Sequence, residues 1–413
     1  MSLSWADLEA RVPAEPDRVD GSTNAQATLR LFGEEEGAVR VTLYRDHHAW
    51  CPYCQKVWLW LEERRIPYRI RKVTMFCYGQ KEAWFTRVVP SGMLPALELD
   101  GRLLTESDRI LAALEQTFGP LGPLEFEDPT VLQLRQLERL LFRAWCQWLC
   151  TPGLSAADEQ RCRQQFQRLA AAMDAALGAT PGPFLLGEEP VTADLVFVPY
   201  LERMGASLAY YKGFVLRHEH PGIAAWFAAL EQRPTYRGSQ SDFHTHAHDL
   251  PPQMGGCYAN GLPQQRELAA AIDAGPWPVL DPDPETSWSE SPQAAAHEAL
   301  ARVVRHAPTL ISRMAQATGL ASPQVDAALR AALARLGPGP AACEPPAGTA
   351  AALRYLRDRV SVPRDMGLHA ARVLRQALEA TAQLDPADPW AQGPLLTLQH
   401  RRDQDPIGFV GSV

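Results

Sequence analysis

One junction constrains this chain more than any other: the stretch "VRVTLYR" at 39–45, followed by "HHAWCPYCQKVWLWLEE" at 47–63. Residues 39–45 alternate in polarity as a half-buried strand does. From Pro52 the apolar positions Cys54, Val57, Trp58 and Leu61 recur at helical spacing, and the pattern fades near Arg65. A Cys-x-x-Cys pair therefore falls where a strand hands over to a helix. A thiol at a helix N-terminus faces amides that lack partners and the positive end of the helix dipole, which favours its thiolate. Pro52 costs the helix no hydrogen bond, because first-turn amides have no intrahelical acceptor anyway. Cys51 is the expected nucleophile and the more exposed of the two. Cys54, within a turn, is placed to resolve a mixed disulfide formed on it. Arg45, His47 and His48 are candidates to add positive potential.

Two blander readings compete. Structural zinc needs two further ligands at credible spacing, and Cys77 alone supplies no second pair. Inert packing suits Cys54, which lies on the buried stripe, better than Cys51, which falls off it.

Around this junction the periodicity continues to switch. "YRIRKV" (68–73) alternates again, and a looser stretch contains Trp84 and Phe85. "PALELDGRLLTES" reads as a strand, a turn at Asp100-Gly101 and an antiparallel strand. Residues 106–118 are helical, with Ile110, Leu111, Leu114 and Phe118 on one side. The order β-α-β-(α)-β-β-α predicts a small mixed sheet covered by helices, the thioredoxin-like arrangement, over 39–120. The polar lead 1–38 is expected either to drape over this domain or to be partly disordered.

Past the Gly- and Pro-rich linker 118–130 the strand signals stop. Helical patterns at 131–150, 156–178, 192–204 and 221–234 predict an all-helical domain over 129–238. Residues 239–290, rich in Pro, Gly, Asp and Ser, read as a connector. Segment 291–413 is an appended helical extension, with starts at Ser291-Pro292 and Ser322-Pro323 and further helices around Pro363. The fold class is thus α/β plus all-α. A length of 413 residues agrees with two or three domains.

The formal net charge of -8 favours neither nucleic acid nor an anionic membrane as partner. No apolar run approaches the length of a membrane span, and the N-terminus has no signal-peptide pattern. Eight cysteines in a chain of this size suggest free thiols in a reducing compartment, so a cytoplasmic location is expected. Basic residues are almost all arginine; the lysines are Lys56, Lys72, Lys81 and Lys212.

Residues 39–238 resemble a glutathione transferase of the cysteine type, in which a glutaredoxin-like domain precedes a helical one. "CPYC" resembles the glutaredoxin active motif, "GMLPALELDG" the family's turn with a cis-proline, and "LLTESDRIL" its glutamate–serine pair. The resemblance implies glutathione as the cofactor, with Cys51 attacking or holding its sulfur. It implies that Leu94, before cis-Pro95, offers its backbone N–H and C=O to the cysteinyl part. Glu106 and Ser107 would bind the γ-glutamyl end, although the pair can also simply cap the helix that follows. "KEAWF" is similar to the "KPEWF" of omega-type enzymes, which suggests Lys81 near the glycyl carboxylate. One departure is Val191, where relatives usually place Ser or Thr three residues before the aspartate, here Asp194. The long lead and helical extension resemble the iota class of photosynthetic organisms.

The implied activity is glutathione-dependent thiol–disulfide exchange: deglutathionylation through a Cys51–glutathione disulfide, with dehydroascorbate reduction as a related reaction. The implied partners are glutathione with glutathionylated or hydrophobic small molecules, or glutathionylated proteins. The assembly is expected to be a monomer or a homodimer. Trp145, Trp148, Tyr200, Tyr210 and Tyr211 are candidates for the wall of an acceptor site, and equally for core packing. Two other classes stay open: a non-catalytic ligand carrier, and a protein-interaction factor that docks through the extension. Last, "SDFHTHAHD" sets His244, His246 and His248 at alternate positions between Asp242 and Asp249. In an extended strand these imidazoles would share a face suited to a metal, but solvated or hydrogen-bonded histidines explain them as well, and no metal is assigned.

Overall fold

The structure is a computed structural model that describes residues 3–274, 291–337 and 343–387. It divides into two compact units, one of residues 16–266 and one formed by 1–15 with most of the chain beyond 266. In chain order the first elements are α1 (Trp5–Glu9), β1 (Leu29–Arg30), β2 (Val41–Asp46), α2 (Pro52–Glu63) and β3 (Tyr68–Val73). They are followed by α3 (Ala83–Val88), β4 (Ala96–Leu99), β5 (Arg102–Thr105) and α4 (Ser107–Phe118). Thereafter the elements of the described residues are helices: α5 (Pro129–Cys150), α6 (Ala156–Leu177), α7 (Thr192–Lys212), α8 (Leu216–Glu219), α9 (Pro221–Glu231) and α10 (Pro234–Ser239). α11 (Phe243–Met254), α12 (Pro263–Ala274), α13 (Pro292–Thr318), α14 (Ser322–Leu333), α15 (Ala350–Arg359) and α16 (Leu368–Ala382) complete the set.

The sheet has the order β1-β3-β2-β4-β5. β2 and β3 are parallel with Leu43 opposite Ile70, while β4 lies antiparallel to β2 and β5 antiparallel to β4. A β-α-β crossover joined to a hairpin is the thioredoxin-like plan that the sequence periodicity predicts. The helical domain packs on it through α2 against α7. Thr192, at the head of α7, joins the two. Its hydroxyl donates to Glu115 of α4 and accepts from the Trp60 indole of α2 at 3.1 Å. The departure at Val191 is partly offset, because Asp194 accepts the Val191 amide at 2.9 Å, the Leu185 amide at 3.1 Å and the Trp226 indole at 2.8 Å.

The lead behaves in two ways. Residues 16–38 complete the sheet: Leu29–Arg30 pairs antiparallel with β3. Arg30, fully buried, meets Glu62 at 2.9 and 3.0 Å and also bonds the carbonyls of Arg18, Val19 and Gly21. Glu62 further accepts from Thr23 at 2.8 Å and Tyr68 at 2.6 Å. The first 15 residues instead belong to the other unit. There Leu8 of α1 is buried in a core with Leu300, Val303, Leu329, Leu353, Leu374 and Leu378 from α13 to α16. The Trp5 indole bonds Asp326 at 2.6 Å.

The connector expected at 239–290 is helical for much of its described length. Asp242 caps α11 by accepting the Thr245 amide at 2.8 Å. Pro251 and Pro252, which read as breakers, lie in its last turns. Pro251 cannot donate to the carbonyl of Ala247, and the Tyr211 hydroxyl donates to it instead at 2.7 Å. α7 also outruns its expected end at 204. It continues to Lys212 and stops at Gly213, whose φ of 66° needs a left-handed residue.

The buried Arg30–Glu62 pair gives a direct test. Arg30→Met or Glu62→Gln leaves the partner's polar groups buried and uncompensated, so each single variant should lose about 3–5 kcal/mol. Chemical denaturation followed by tryptophan fluorescence measures the loss.

Candidate thiol site

β2 ends at Asp46, and the five residues after it turn the chain into α2. Cys51 is the N-cap of that helix with Pro52 at its first position, as its sequence context requires. The loop is held by the peptide that precedes the cysteine. The Trp50 amide donates to Asp46 Oδ2 at 2.7 Å, and the Trp50 carbonyl accepts from Arg203 of α7 at 2.5 Å. The Trp50 ring stacks on His48 at 4.5 Å and meets Tyr78 edge-on at 5.3 Å.

Cys51 is 6% exposed and Cys54 1%, so Cys51 is the more open of two largely covered thiols. They pack in one cluster with Trp50, Met75 and Tyr78, against which Cys77 and Leu94 rest. Burial first, then the hydrogen bond and charge of Cys51, hold the Cys54 thiol well above its ordinary range. Burial likewise pushes Cys77 up to about 12. A carboxylate oxygen of Asp46 and both sulfurs of the pair lie within 4.8 Å of one another. That trio is one donor short of the four that close a structural zinc site.

The expected positive potential comes from a different residue. Arg45 turns to the carbonyls of Asp46 and Ala25 and lies over the Trp58 ring at 4.6 Å. His47 faces Glu82 at 3.3 Å, and burial keeps its imidazole below the ordinary value against the pull of that carboxylate. Lys81 instead interacts electrostatically with both sulfurs of the pair. Its ammonium donates to the Thr74 carbonyl at 2.8 Å, and burial lowers its pKa against the pull of the Cys54 and Cys51 charges.

The remaining predicted residues lie at the same end of the sheet as the end of β2, where Ala96 pairs with Tyr44 on one side and Thr105 on the other. The Leu94–Pro95 peptide is cis. Among the described residues neither the N–H nor the C=O of Leu94 is hydrogen-bonded. Glu106 stands just before α4 with φ 67°, a conformation that costs a non-glycine residue on the order of 1–3 kcal/mol. Its carboxylate makes no cap hydrogen bond, which removes the simple capping reading. The Glu106 side chain is exposed and that of Ser107 is buried.

Two other readings that the sequence left open are narrowed. Trp145, Trp148, Tyr200, Tyr210 and Tyr211 fit the core-packing reading, since all five are buried. The Trp145 indole is spent on Ser207 at 2.9 Å and the Trp148 indole on Glu159 at 2.7 Å. Tyr53, exposed beside Cys54 and edge-on to Tyr200 at 6.0 Å, is the aromatic that does reach solvent there. The histidines of 244–248 lie on helix α11, not on a strand, so alternate positions point apart. The rings of His244 and His248 meet at 5.0 Å, whereas His246 turns to Glu202 at 2.8 Å and Asp249 at 3.3 Å.

His246 belongs to a buried network that sequence reading missed. Arg203 bonds Gln55 at 2.8 Å as well as Trp50, and Glu202 accepts from His246 and from the Ser241 amide at 3.2 Å. The signal was present in the sequence as adjacent charges, Glu202-Arg203, inside an otherwise apolar helix. α11 is thereby tied, through α7, to the carbonyl of the residue before Cys51.

Residues 50–117 match the Glutathione S-transferase, N-terminal domain family, and residues 142–239 the Glutathione S-transferase, C-terminal domain family. Over these two segments the chain is similar to glutathione transferases, and the first segment carries the cysteine pair Cys51 and Cys54. Glutathione S-transferase DHAR2 of Arabidopsis thaliana is 25% identical over 191 residues, 46% of this chain and 84% of the relative. The probable cytosolic glutathione S-transferase DHAR1 of Oryza sativa subsp. japonica is 25% identical over 187 residues, 45% of this chain and 82% of the relative. Among solved structures, glutathione transferase Omega 3C from Trametes versicolor aligns at a TM-score of 0.42 and 21% identity. That alignment covers 59% of this chain and 97% of that one.

The His246 network should respond to pH. Burial and Arg203 depress the imidazole's pKa, but Asp249 and Glu202 outweigh them and hold it above its ordinary value. A group with a raised folded pKa contributes its full stability below the unfolded value, about 6.5, and loses it as pH climbs through the folded value. The stability advantage of the wild type over His246→Gln should therefore be greatest below about pH 6.5 and shrink above it. Urea unfolding of both proteins at a series of pH values measures this.

Proposed function

We propose that the chain catalyses glutathione-dependent thiol–disulfide exchange at Cys51. The observation that carries this reading is Cys51 at the head of α2, with the N–H and C=O of the preceding residue both clamped and the half-buried ammonium of Lys81 interacting with its sulfur. The two domain matches support glutathione as the partner. In this reading the Cys51 thiolate attacks the glutathione-side sulfur of a glutathionylated substrate. The Cys51–glutathione bond forms as the old disulfide breaks, and the substrate leaves as a thiolate that takes a proton from solvent.

The free backbone groups of Leu94 would pair with the cysteinyl unit of glutathione, and Glu106 with Ser107 would receive its γ-glutamyl end. Lys81 would act on the sulfurs, since its ammonium is already bonded to Thr74. The small exposure of Cys51 favours slender disulfides over bulky folded partners. Dehydroascorbate reduction fits the same chemistry. The CPYC motif, the lead and the helical extension support the resemblance to the iota class, and the thiol chemistry suits a reducing compartment such as the cytoplasm.

Intact-mass analysis after exposure to oxidised glutathione tests the assignment. Wild type should gain glutathione at Cys51, and Cys51→Ser should lose at least ~100-fold in deglutathionylation rate, because the nucleophile itself is gone. An unchanged adduct yield in Cys51→Ser would defeat it.

A further inference from the structure

The inference concerns how the Cys51–glutathione disulfide is discharged, and so it rests on the thiol-exchange reading. Cys54 sits close enough to take part, yet it is a buried thiol held well above its ordinary range, and a protonated thiol does not attack a disulfide. For Cys54 to act, its proton must go to a group inside the protein.

Asp46 meets that need. Its side chain is completely buried at the end of β2. Oδ2 is spent on the Trp50 amide, which fixes the carboxylate beneath the loop that carries Cys51. Oδ1 is buried with no hydrogen-bond partner, an arrangement that costs a folded protein on the order of 1–3 kcal/mol. A carboxylate oxygen is within 4.8 Å of both sulfurs. The other charged or titratable groups facing this spot serve less well. Lys81 is already an ammonium bonded to Thr74, and Arg45 does not give up or take a proton at working pH. The Cys77 thiol is pushed up to about 12 and faces the charges of Asp249, Asp46 and Cys51. His47 is engaged with Glu82, and His48 is stacked between Trp50 and Tyr78.

We propose that Asp46 is the proton acceptor for Cys54 and that the site runs a dithiol cycle. The Cys54 S–H bond breaks and its proton passes to the Asp46 carboxylate. The Cys51–Cys54 bond forms as the Cys51–glutathione bond breaks, and the electron pair leaves on the glutathione sulfur. That thiolate is protonated by Asp46 or by solvent. In this exchange the Cys54 sulfur is oxidised by one electron equivalent and the glutathione sulfur is reduced by one; over loading and exchange together the cysteine pair gives up two electrons to the incoming disulfide. Two further glutathione thiols then restore the pair and leave as glutathione disulfide.

The experiment uses the full chain. Protein is loaded briefly with oxidised glutathione, desalted, and followed by quenched intact-mass analysis as the adduct converts to the internal disulfide. In Asp46→Asn, which keeps an acceptor for the Trp50 amide but cannot take the proton, conversion should slow at least ~10-fold more than loading does. A wild-type ratio of the two rates in Asp46→Asn overturns the proposal. The pH profile of the wild type gives a second measurement that needs no variant. Conversion assisted by Asp46 should depend on pH less steeply than the tenfold per pH unit of conversion limited by free Cys54 thiolate, and a full tenfold climb refutes the role of Asp46. A wild-type adduct that forms and persists until glutathione is added also refutes it, because the cycle is then monothiol. If no adduct forms at Cys51 at all, the thiol-exchange reading itself falls.

Discussion

Everything distinctive about the site depends on the backbone of one residue, Trp50. Its amide is bound by a carboxylate at the end of a strand and its carbonyl by a guanidinium from a helix more than a hundred residues further on. Cys51 is the next residue, so its backbone is fixed by both domains at once. Charge-assisted hydrogen bonds of this kind are roughly twice as strong as neutral ones and are directional. A thiol at a helix N-terminus gains from the dipole only if it stays within the first turn's reach. The clamp supplies that geometry before any substrate arrives.

The clamp in turn draws on a helix that the usual two domains do not require. Arg203 is buried, and a buried cation is tolerable only when its surroundings satisfy it. Gln55, Glu202 and two main-chain carbonyls partner its two Nη atoms, while its Nε is left without a hydrogen bond, and Glu202 is itself held by His246 and the Ser241 amide. α11 therefore closes an electrostatic account that begins at the active thiol. Its hydrogen bonds to α7 and to the loop after β3, from Tyr211 to the Ala247 carbonyl and from Tyr78 to the Asp249 carbonyl, fix its position. Tyr78 also packs on Trp50 and the cysteines, so the same helix reaches the site by an apolar route as well.

How far the sequence revealed this varies with the range of the interaction. The strand–helix–strand order around Cys51 was legible because period and spacing are local properties. β1 was not, since two residues cannot show alternation, and its anchor Arg30 looks like any surface arginine until Glu62 is folded against it. α11 was hidden by Pro251-Pro252 and by histidines whose alternation mimics a strand. What rescues the helix is a hydroxyl from Tyr211, and no local pattern reports that. Asp46 was invisible for the same reason: a carboxylate at a strand end is ordinarily solvated. Its meaning comes from the two sulfurs and the Trp50 amide that the turn places around it.

Under the proposed reading, the two ends of the glutathione site are prepared differently. Near Cys51 many of the polar groups are bonded to one another in advance, while the Asp46 Oδ1 atom beside the sulfurs is left without a partner. Near Glu106 the preparation is conformational. The residue holds a left-handed φ of 67°, which serves no capping bond, and carries its carboxylate out to solvent. Strain kept without an internal benefit persists where the surrounding fold over-determines it, and such positions cluster at ligand clamps. An ammonium bound there would add the missing benefit, whereas a fold that merely needed to start α4 would have used an ordinary N-cap. The strained glutamate and the clamped cysteine are thus separate costs that a single tripeptide, gripped at both ends, would offset together.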